Sequence, residues 1–169
     1  MKLYINTSSK IGTKVLGSAY EQLTTEYAGN DIDYIFESEG KIIVDPSIGN
    51  KYEDWWIMAK TSNGLASFYR SLVAKRFGVR LIEPSFNSHI SIITGEKPLL
   101  NEDQWKKFHG EKITFKYSNE IFTNGYFFWI RVQSPEMIEL REYYGLPPIG
   151  KYFLHNTIAK THPSDITLY

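Results

Sequence analysis

Two short frames in this chain set an imidazole beside a hydroxyl: Ser88-His89-Ile90-Ser91-Ile92 and Leu154-His155-Asn156-Thr157-Ile158. The chain has only four histidines, and two of them fall in these matching His-x-Ser/Thr triplets. Both frames read as β-strand, in which successive side chains face opposite ways. His89 and Ser91 therefore project together, opposite Ile90 and Ile92; His155 and Thr157 project together, opposite Leu154, Asn156 and Ile158. A single triplet of this kind means little, because a strand histidine is more often a half-buried polar residue. Two of them suit a phosphodiester. The hydroxyls of Ser91 and Thr157 can donate to non-bridging phosphate oxygens. His89 and His155 can stand on either side of phosphorus, one taking a proton from the nucleophile and the other giving one to the leaving oxygen. An imidazole with a pKa near neutrality does either without a metal.

A nucleotide also needs a surface for its base, and stacking on an aromatic ring is worth about 1–3 kcal/mol per base. The chain is rich in such rings, with 4 Trp, 12 Tyr and 10 Phe making up 15% of it. Trp55-Trp56 and the run Tyr126-Phe127-Phe128-Trp129 are the densest sources. Adjacent strand residues diverge, so either Tyr126 with Phe128 or Phe127 with Trp129 can line one groove. Trp55, Trp56, Tyr126, Phe128 and Tyr152 are the candidate substrate-binding rings, and Lys160 is a candidate phosphate contact. Core packing and a solvated lysine are the ordinary roles of such residues. His109 and His162 lie in no comparable frame, and Arg70, Lys75, Arg76 and Arg80 read as a solvated helix face.

The remaining chemistry is narrowed by what the composition leaves out. Lys plus Arg and Asp plus Glu both number 19, so no basic excess equips the chain for general binding of duplex nucleic acid. Absence of Cys removes disulfides, thiolate nucleophiles and Cys-ligated zinc. No His-x-His, His-Glu-x-x-His or Asp-x-His spacing suggests a metal site, no cofactor motif is present, and no Gly-x4-Gly-Lys-Ser/Thr loop occurs. No apolar run approaches the 18 or so residues of a membrane span, and the start lacks a secretory stretch. The expectation is a soluble, cytoplasmic domain that takes a small nucleotide partner and no membrane.

Positioning these residues requires a mixed α+β fold, and 169 residues without a linker or internal repeat read as one domain. Leu3-Tyr4-Ile5 is a strand, and Tyr20 to Tyr27 a helix with Leu16, Tyr20, Leu23 and Tyr27 on one face. Asp33 to Val44 reads as a hairpin turning at Glu39-Gly40. The spacing predicts a helix over 63–77, capped by Asn63, striped with Leu65, Phe68, Leu72 and Val73, and ended by Gly78. Strands follow at 79–82, 89–93, 113–117 and 126–132. Ser134-Pro135-Glu136 opens a second helix, and Tyr152 to Ala159 is the last strand.

With these frames and elements the sequence resembles the 2H phosphoesterase superfamily, named for its paired His-x-Thr/Ser motifs. The resemblance runs from about Leu81 to Lys160, taking in the helix before the second motif and the basic residue three after Thr157. Ser91 stands for the commoner Thr and keeps the hydroxyl; Asn156 stands where an apolar residue is usual. The resemblance implies a two-lobed α+β fold with antiparallel-rich sheets around a central groove, each lobe supplying one motif. It implies His89 and His155 as the acid/base pair, Ser91 and Thr157 as phosphate holders, and no metal. Residues 81–160 would carry both motifs, and residues 1–80 a lid or base pocket. Small, aromatic-rich character is similar to a phage branch, the anti-CBASS nucleases, which cleave cyclic di- and trinucleotides of bacterial defence in the host cytoplasm. Compact relatives that open 2′,3′-cyclic phosphates or process RNA ends are the alternative. A binding module that sequesters a nucleotide without turnover is the alternative of another class.

Overall fold

A computed structural model describes residues 3–5, 11–13, 32–47, 54–163 and 166–168. Ten strands and two helices are present among them: β1 (Leu3–Ile5), β2 (Ile11–Thr13), β3 (Phe36–Val44), β4 (Ile57–Lys60), α1 (Asn63–Phe77), β5 (Leu81–Ile82), β6 (His89–Ile93), β7 (Lys112–Thr123), β8 (Phe127–Gln133), α2 (Pro135–Tyr143), β9 (His155–Thr161) and β10 (Ile166–Leu168). The class is α+β, as the alternation of periods implied. The helix expected over Tyr20 to Tyr27 lies outside the described residues.

Six strands close a ring in which β7, β3, β4, β6, β9 and β8 each run antiparallel to their neighbours and β8 returns to β7. The expected pair of separate lobes is thus a continuous sheet here. β7 is long enough, at 12 residues, to pair β3 along its first half and β1, in parallel, along its second. β5 lies on β9, and β10 pairs β2 apart from the ring.

Both helices cover one face of this sheet. α2 brings Met137 and Leu140 against Ile90, Ile92, Ile113, Phe115 and Val132, with Trp105 and Tyr144 completing the cluster. α1 brings Ala66, Tyr69 and Val73 against Ile121, Phe128, Ile130, Ile158 and Ala159. The buried stripe of α1 is therefore shifted from the expected one, and Phe68 is 61% exposed. Its cap is also shifted by one residue: Ser62, not Asn63, accepts the Gly64 N–H. Gly78 ends it in the left-handed region at φ 66°, as expected. Ser134 caps α2 through the Met137 N–H with Pro135 in the first turn, also as expected.

The hairpin expected at Glu39-Gly40 is absent; β3 runs unbroken from Phe36 to Val44. Gly40 is there because β4 comes close. A Cβ at this position would sit 3.0 Å from the Lys60 carbonyl oxygen and 3.2 Å from the Ala59 Cβ. The last predicted strand begins at His155 rather than Tyr152, which leaves Lys151, Tyr152 and Phe153 in the exposed loop before it.

One ion pair ties the end of β6 to the helical layer. Arg141, 1% exposed, donates to both carboxylate oxygens of Glu96 at 2.7 and 2.9 Å, and also to the carbonyls of Ile92 and Pro147. The Arg141 hydrogen bonds hold the Glu96 carboxyl below its ordinary range, so this stabilisation is complete at neutral pH and is lost as acid protonates Glu96. Replacing Arg141 by Leu strands the buried Ile92 carbonyl and takes the partner from the Glu96 carboxylate. Thermal unfolding of Arg141→Leu at pH 7 is expected to show a loss of about 2–3 kcal/mol that shrinks below pH 4.

Candidate functional site

β6 and β9 meet at one register pair, Ile90 opposite Asn156. Carried one residue each way in an antiparallel ladder, that register sets His89 across from Thr157 and Ser91 across from His155. By strand alternation the four side chains share the face opposite the buried Ile90 and Ile158, and an ideal ladder continued from the Ile90–Asn156 pair would set them at the corners of a rectangle. The imidazoles occupy one diagonal and the hydroxyls the other. Diagonal neighbours on such a pair are about 7–8 Å apart, enough to seat a tetrahedral phosphate between them.

The two rings are held in the same way. The His89 Nδ1 lies 2.7 Å from the Asn87 carbonyl oxygen, and the His155 Nδ1 lies 2.8 Å from that of Phe153. In both frames the acceptor is two residues before the histidine. A carbonyl oxygen only accepts, so each Nδ1 carries the proton and each Nε2 is left with the basic lone pair. The flanks match as well. His89 is edge-on to Trp56 at 5.9 Å and to Phe86 at 6.1 Å between centroids; His155 is edge-on to Trp129 at 6.1 Å and to Tyr152 at 6.5 Å.

Both rings are displaced below the ordinary imidazole pKa, chiefly by burial. Burial pushes the His89 pKa below the ordinary imidazole value against the opposing pull of the Asn87 carbonyl. Burial does the same to His155, with the Phe153 carbonyl opposing it and the positive charges available to His89 and Arg131 lowering it further. A proton on one ring therefore disfavours a proton on the other.

A cavity of about 610 Å³ opens beside this rectangle, lined by Asn124, Phe127, Trp129, Arg131, Lys151, Tyr152, Phe153, His155 and Thr157. It takes in the second frame and not the first. Register explains its wall, because Trp129 faces Thr157 and Arg131 faces His155 across β8 and β9. The Arg131 guanidinium, 3% exposed as a residue, lies 4.5 Å from the Phe153 ring centroid and 5.1 Å from that of Phe122. Two cations and five aromatic rings, counting His155, line the space with no carboxylate among them.

The binding rings expected from sequence divide. Tyr152 lines the cavity, 68% exposed at its mouth. Trp56 is at the site but only 4% exposed, and its Nε1 donates to the Ser91 Oγ at 3.3 Å, so it braces the first frame instead of offering a stacking face. Trp55 is elsewhere, edge-on to Trp105 at 5.1 Å in the cluster under α2. Phe128 is 1% exposed and packed on α1, because the even positions of β8 face the core. Tyr126 packs on Phe127 at 4.5 Å outside the cavity lining. Lys160 donates to the Ser85 Oγ at 2.8 Å and does not line the cavity.

The cavity rings are the other choice of parity, Phe127 with Trp129, together with Phe153. Arg131, Lys151 and Asn124 were not singled out from the sequence. The signal was available in β8, where Arg131 and Gln133 share the parity of Trp129 and mark that face as the polar one. Phe86, the second ring on His89, sits in a loop and had no periodic signature.

His109 is engaged elsewhere: its Nδ1 accepts the Val44 N–H at 3.1 Å. Among the described residues no group of three or more His, Asp and Glu side chains converges in a way that could hold a metal ion. None of their helices is long and apolar enough to cross a membrane. Comparison of the chain with protein-family models, with curated proteins and with solved structures finds no match.

The mutual effect of the two rings gives a direct check. Histidine titrations followed by NMR are expected to place both His89 and His155 below about 6.5, with the proton on Nδ1 in the neutral form. In His89→Ala the His155 pKa should rise, since a competing positive charge is gone. An unchanged His155 titration would mean that the rings do not sense each other.

Proposed function

We propose that this protein is a phosphodiesterase of the 2H type, acting on nucleotides with His89 and His155 as its general acid/base pair. The observation that carries the reading is the pair of matching histidine frames on adjoining strands, each ring held through Nδ1 on the carbonyl two residues before it so that Nε2 is the basic nitrogen. A phosphate between the frames receives hydrogen bonds from Ser91 and Thr157 while one Nε2 takes a proton from the attacking oxygen and the other supplies a proton to the departing one.

The cavity supports a nucleotide as substrate. Its aromatic walls suit a base, and Arg131 and Lys151 suit an anion. Trp56, nearly buried, and Phe86 crowd the first frame, so the bulk of a ligand lies over His155 and Thr157. Room on that side suits an oligonucleotide, and cyclic di- or trinucleotides of bacterial antiphage defence are the substrates we favour. For these, a ribose 2′-OH attacks the neighbouring phosphorus and the 5′ oxygen departs, leaving a linear product ending in a 2′,3′-cyclic phosphate or its hydrolysed form.

A panel of cyclic dinucleotides, cyclic trinucleotides, a 2′,3′-cyclic mononucleotide and short RNA, incubated with EDTA, tests this reading. Turnover of cyclic oligonucleotides that is undiminished by chelation is expected. Preference for the terminal cyclic phosphate would shift the assignment to RNA end processing; binding without turnover would make the protein a sequestering module. His89→Ala and His155→Ala should each lower kcat by about 10²–10⁴-fold. Loss of activity on chelation with recovery in Mg²⁺ would sink the mechanism.

The working form has one ring protonated and one neutral. With both pKa values displaced downward, its population peaks on the acid side of pH 6.5, falling at lower pH as the base is protonated and at higher pH as the acid is lost. A bell-shaped rate profile centred below about 6.5 is expected. Trp129→Ala should raise KM at least about fivefold from lost stacking, with a smaller effect on kcat.

A further inference from the structure

Beneath the rectangle, on the opposite face of the sheet, lies a closed polar network with no part in the chemistry. Asn156 is 0% exposed, Ser88 3% and Thr61 6%. The Asn156 Nδ2 donates to the Thr61 Oγ1 at 2.9 Å and to the Ser88 Oγ at 3.1 Å, and its Oδ1 accepts from the Ser88 Oγ at 3.2 Å. The two hydroxyl oxygens are 2.7 Å apart. The protons can be assigned without conflict: Ser88 gives its own to Asn156, Thr61 gives its own to Ser88, and the amide gives one to each. Ser88 is held by its backbone too, its N–H on the Asn63 Oδ1 at 3.2 Å and its carbonyl on the Thr61 N–H at 3.0 Å.

Ser88 is the residue before His89, and Asn156 is the residue after His155. Their bond crosses the seam at which the β6–β9 ladder contributes only the Ile90–Asn156 pair. Backbone pairing alone therefore does little to fix the distance between the two histidine frames. A hydrophobic side chain could fill the position without a desolvation cost, whereas an amide is tolerated only because every polar atom is met. We propose that Asn156, acting through Ser88 and Thr61, is a positioning residue that sets the separation and mutual orientation of His89 and His155.

The proposal rests on the phosphodiesterase reading for its kinetic consequence but not for its geometric one. The charged groups facing the two rings are Arg131 on β8, beside His155, Lys151 in the loop before β9, which lines the same cavity as His155, and Lys60 on β4, in register with His89; none of them is substituted in the variants below.

Two variants test it: Asn156→Leu, and the triple Thr61→Val, Ser88→Ala, Asn156→Leu, which leaves no polar group orphaned. The triple variant is expected to unfold cooperatively, to lose at least tenfold in kcat with KM within about twofold of the parent, and to move the two limbs of its pH–rate profile closer together. By NMR its His155 titration should rise toward that of an isolated imidazole. A triple variant that keeps kcat, the spacing of the limbs and both titrations would overturn the proposal, as would a kcat loss with unaltered titrations. Where neither variant folds, Thr61→Val alone, which retains the Asn156–Ser88 bonds, should shift the titrations in the same direction by less; no shift counts against us. If the parent protein turns over no substrate in the panel, the hydrolase reading fails while the NMR titrations still decide the positioning role.

Discussion

Everything chemical in this protein depends on how closely and in what register β6 approaches β9. The register pair Ile90–Asn156 puts four polar side chains from segments far apart in sequence onto one face. Slipping by one residue would turn the imidazoles toward the helices and the isoleucines toward the cavity, because side chains alternate through both histidine frames. The hydrophobic pattern guards against this. Ile90 and Ile158 are fully buried on the helix-covered face, so a slip would expose them and bury His89 and His155 unsatisfied. Core packing thus specifies the site, with Trp56 the buried ring that touches it directly.

The repetition within the two frames has a physical consequence beyond appearance. Holding Nδ1 on a carbonyl two residues upstream spends one nitrogen on orientation and frees the other, and it does so with backbone atoms that any sequence supplies. The aromatic flanks complete the effect. Edge-on rings exclude water and favour a neutral imidazole, which pulls both pKa values down together. The charge His89 can carry lowers the His155 pKa further, so the two titrations are linked.

Sequence periodicity revealed the frames, because a His-x-Ser/Thr triplet in a strand needs only alternation to bring ring and hydroxyl together. It also revealed both helices and the cap of α2, where Ser134 and Pro135 act locally. What it misjudged was decided at longer range. Gly40 looked like a turn because a turn and a close strand crossing both call for a residue without a side chain, and only the position of β4 distinguishes them. The choice between Phe128 and Trp129 is a choice of face, which a run of four aromatics leaves open and the register with β9 closes. Trp56 reads as a binding surface until its burial and its bond to Ser91 show that it supports the site from the side. The ring topology itself rests on the β8–β9 and β7–β8 pairings, for which no local signal exists.

Asn156 shows the same division between local and distant causes. Within its own strand it is a polar interruption of an apolar row, the reverse of what burial on the helix-covered face favours. Its partners, Thr61 and Ser88, stand 95 and 68 residues earlier in the chain. Only when β4, β6 and β9 lie side by side does the amide find every bond it needs, and a buried polar group satisfied by a single arrangement penalises all others. An apolar residue would hold the strands together with some tolerance of sliding. The amide does not tolerate it, since a displacement of even an ångström breaks several hydrogen bonds at once in a medium where none can be replaced by water. On the reading we propose, in which two nitrogen atoms address opposite sides of one phosphorus, restricting motion along the seam matters more than the small net stability such a network contributes.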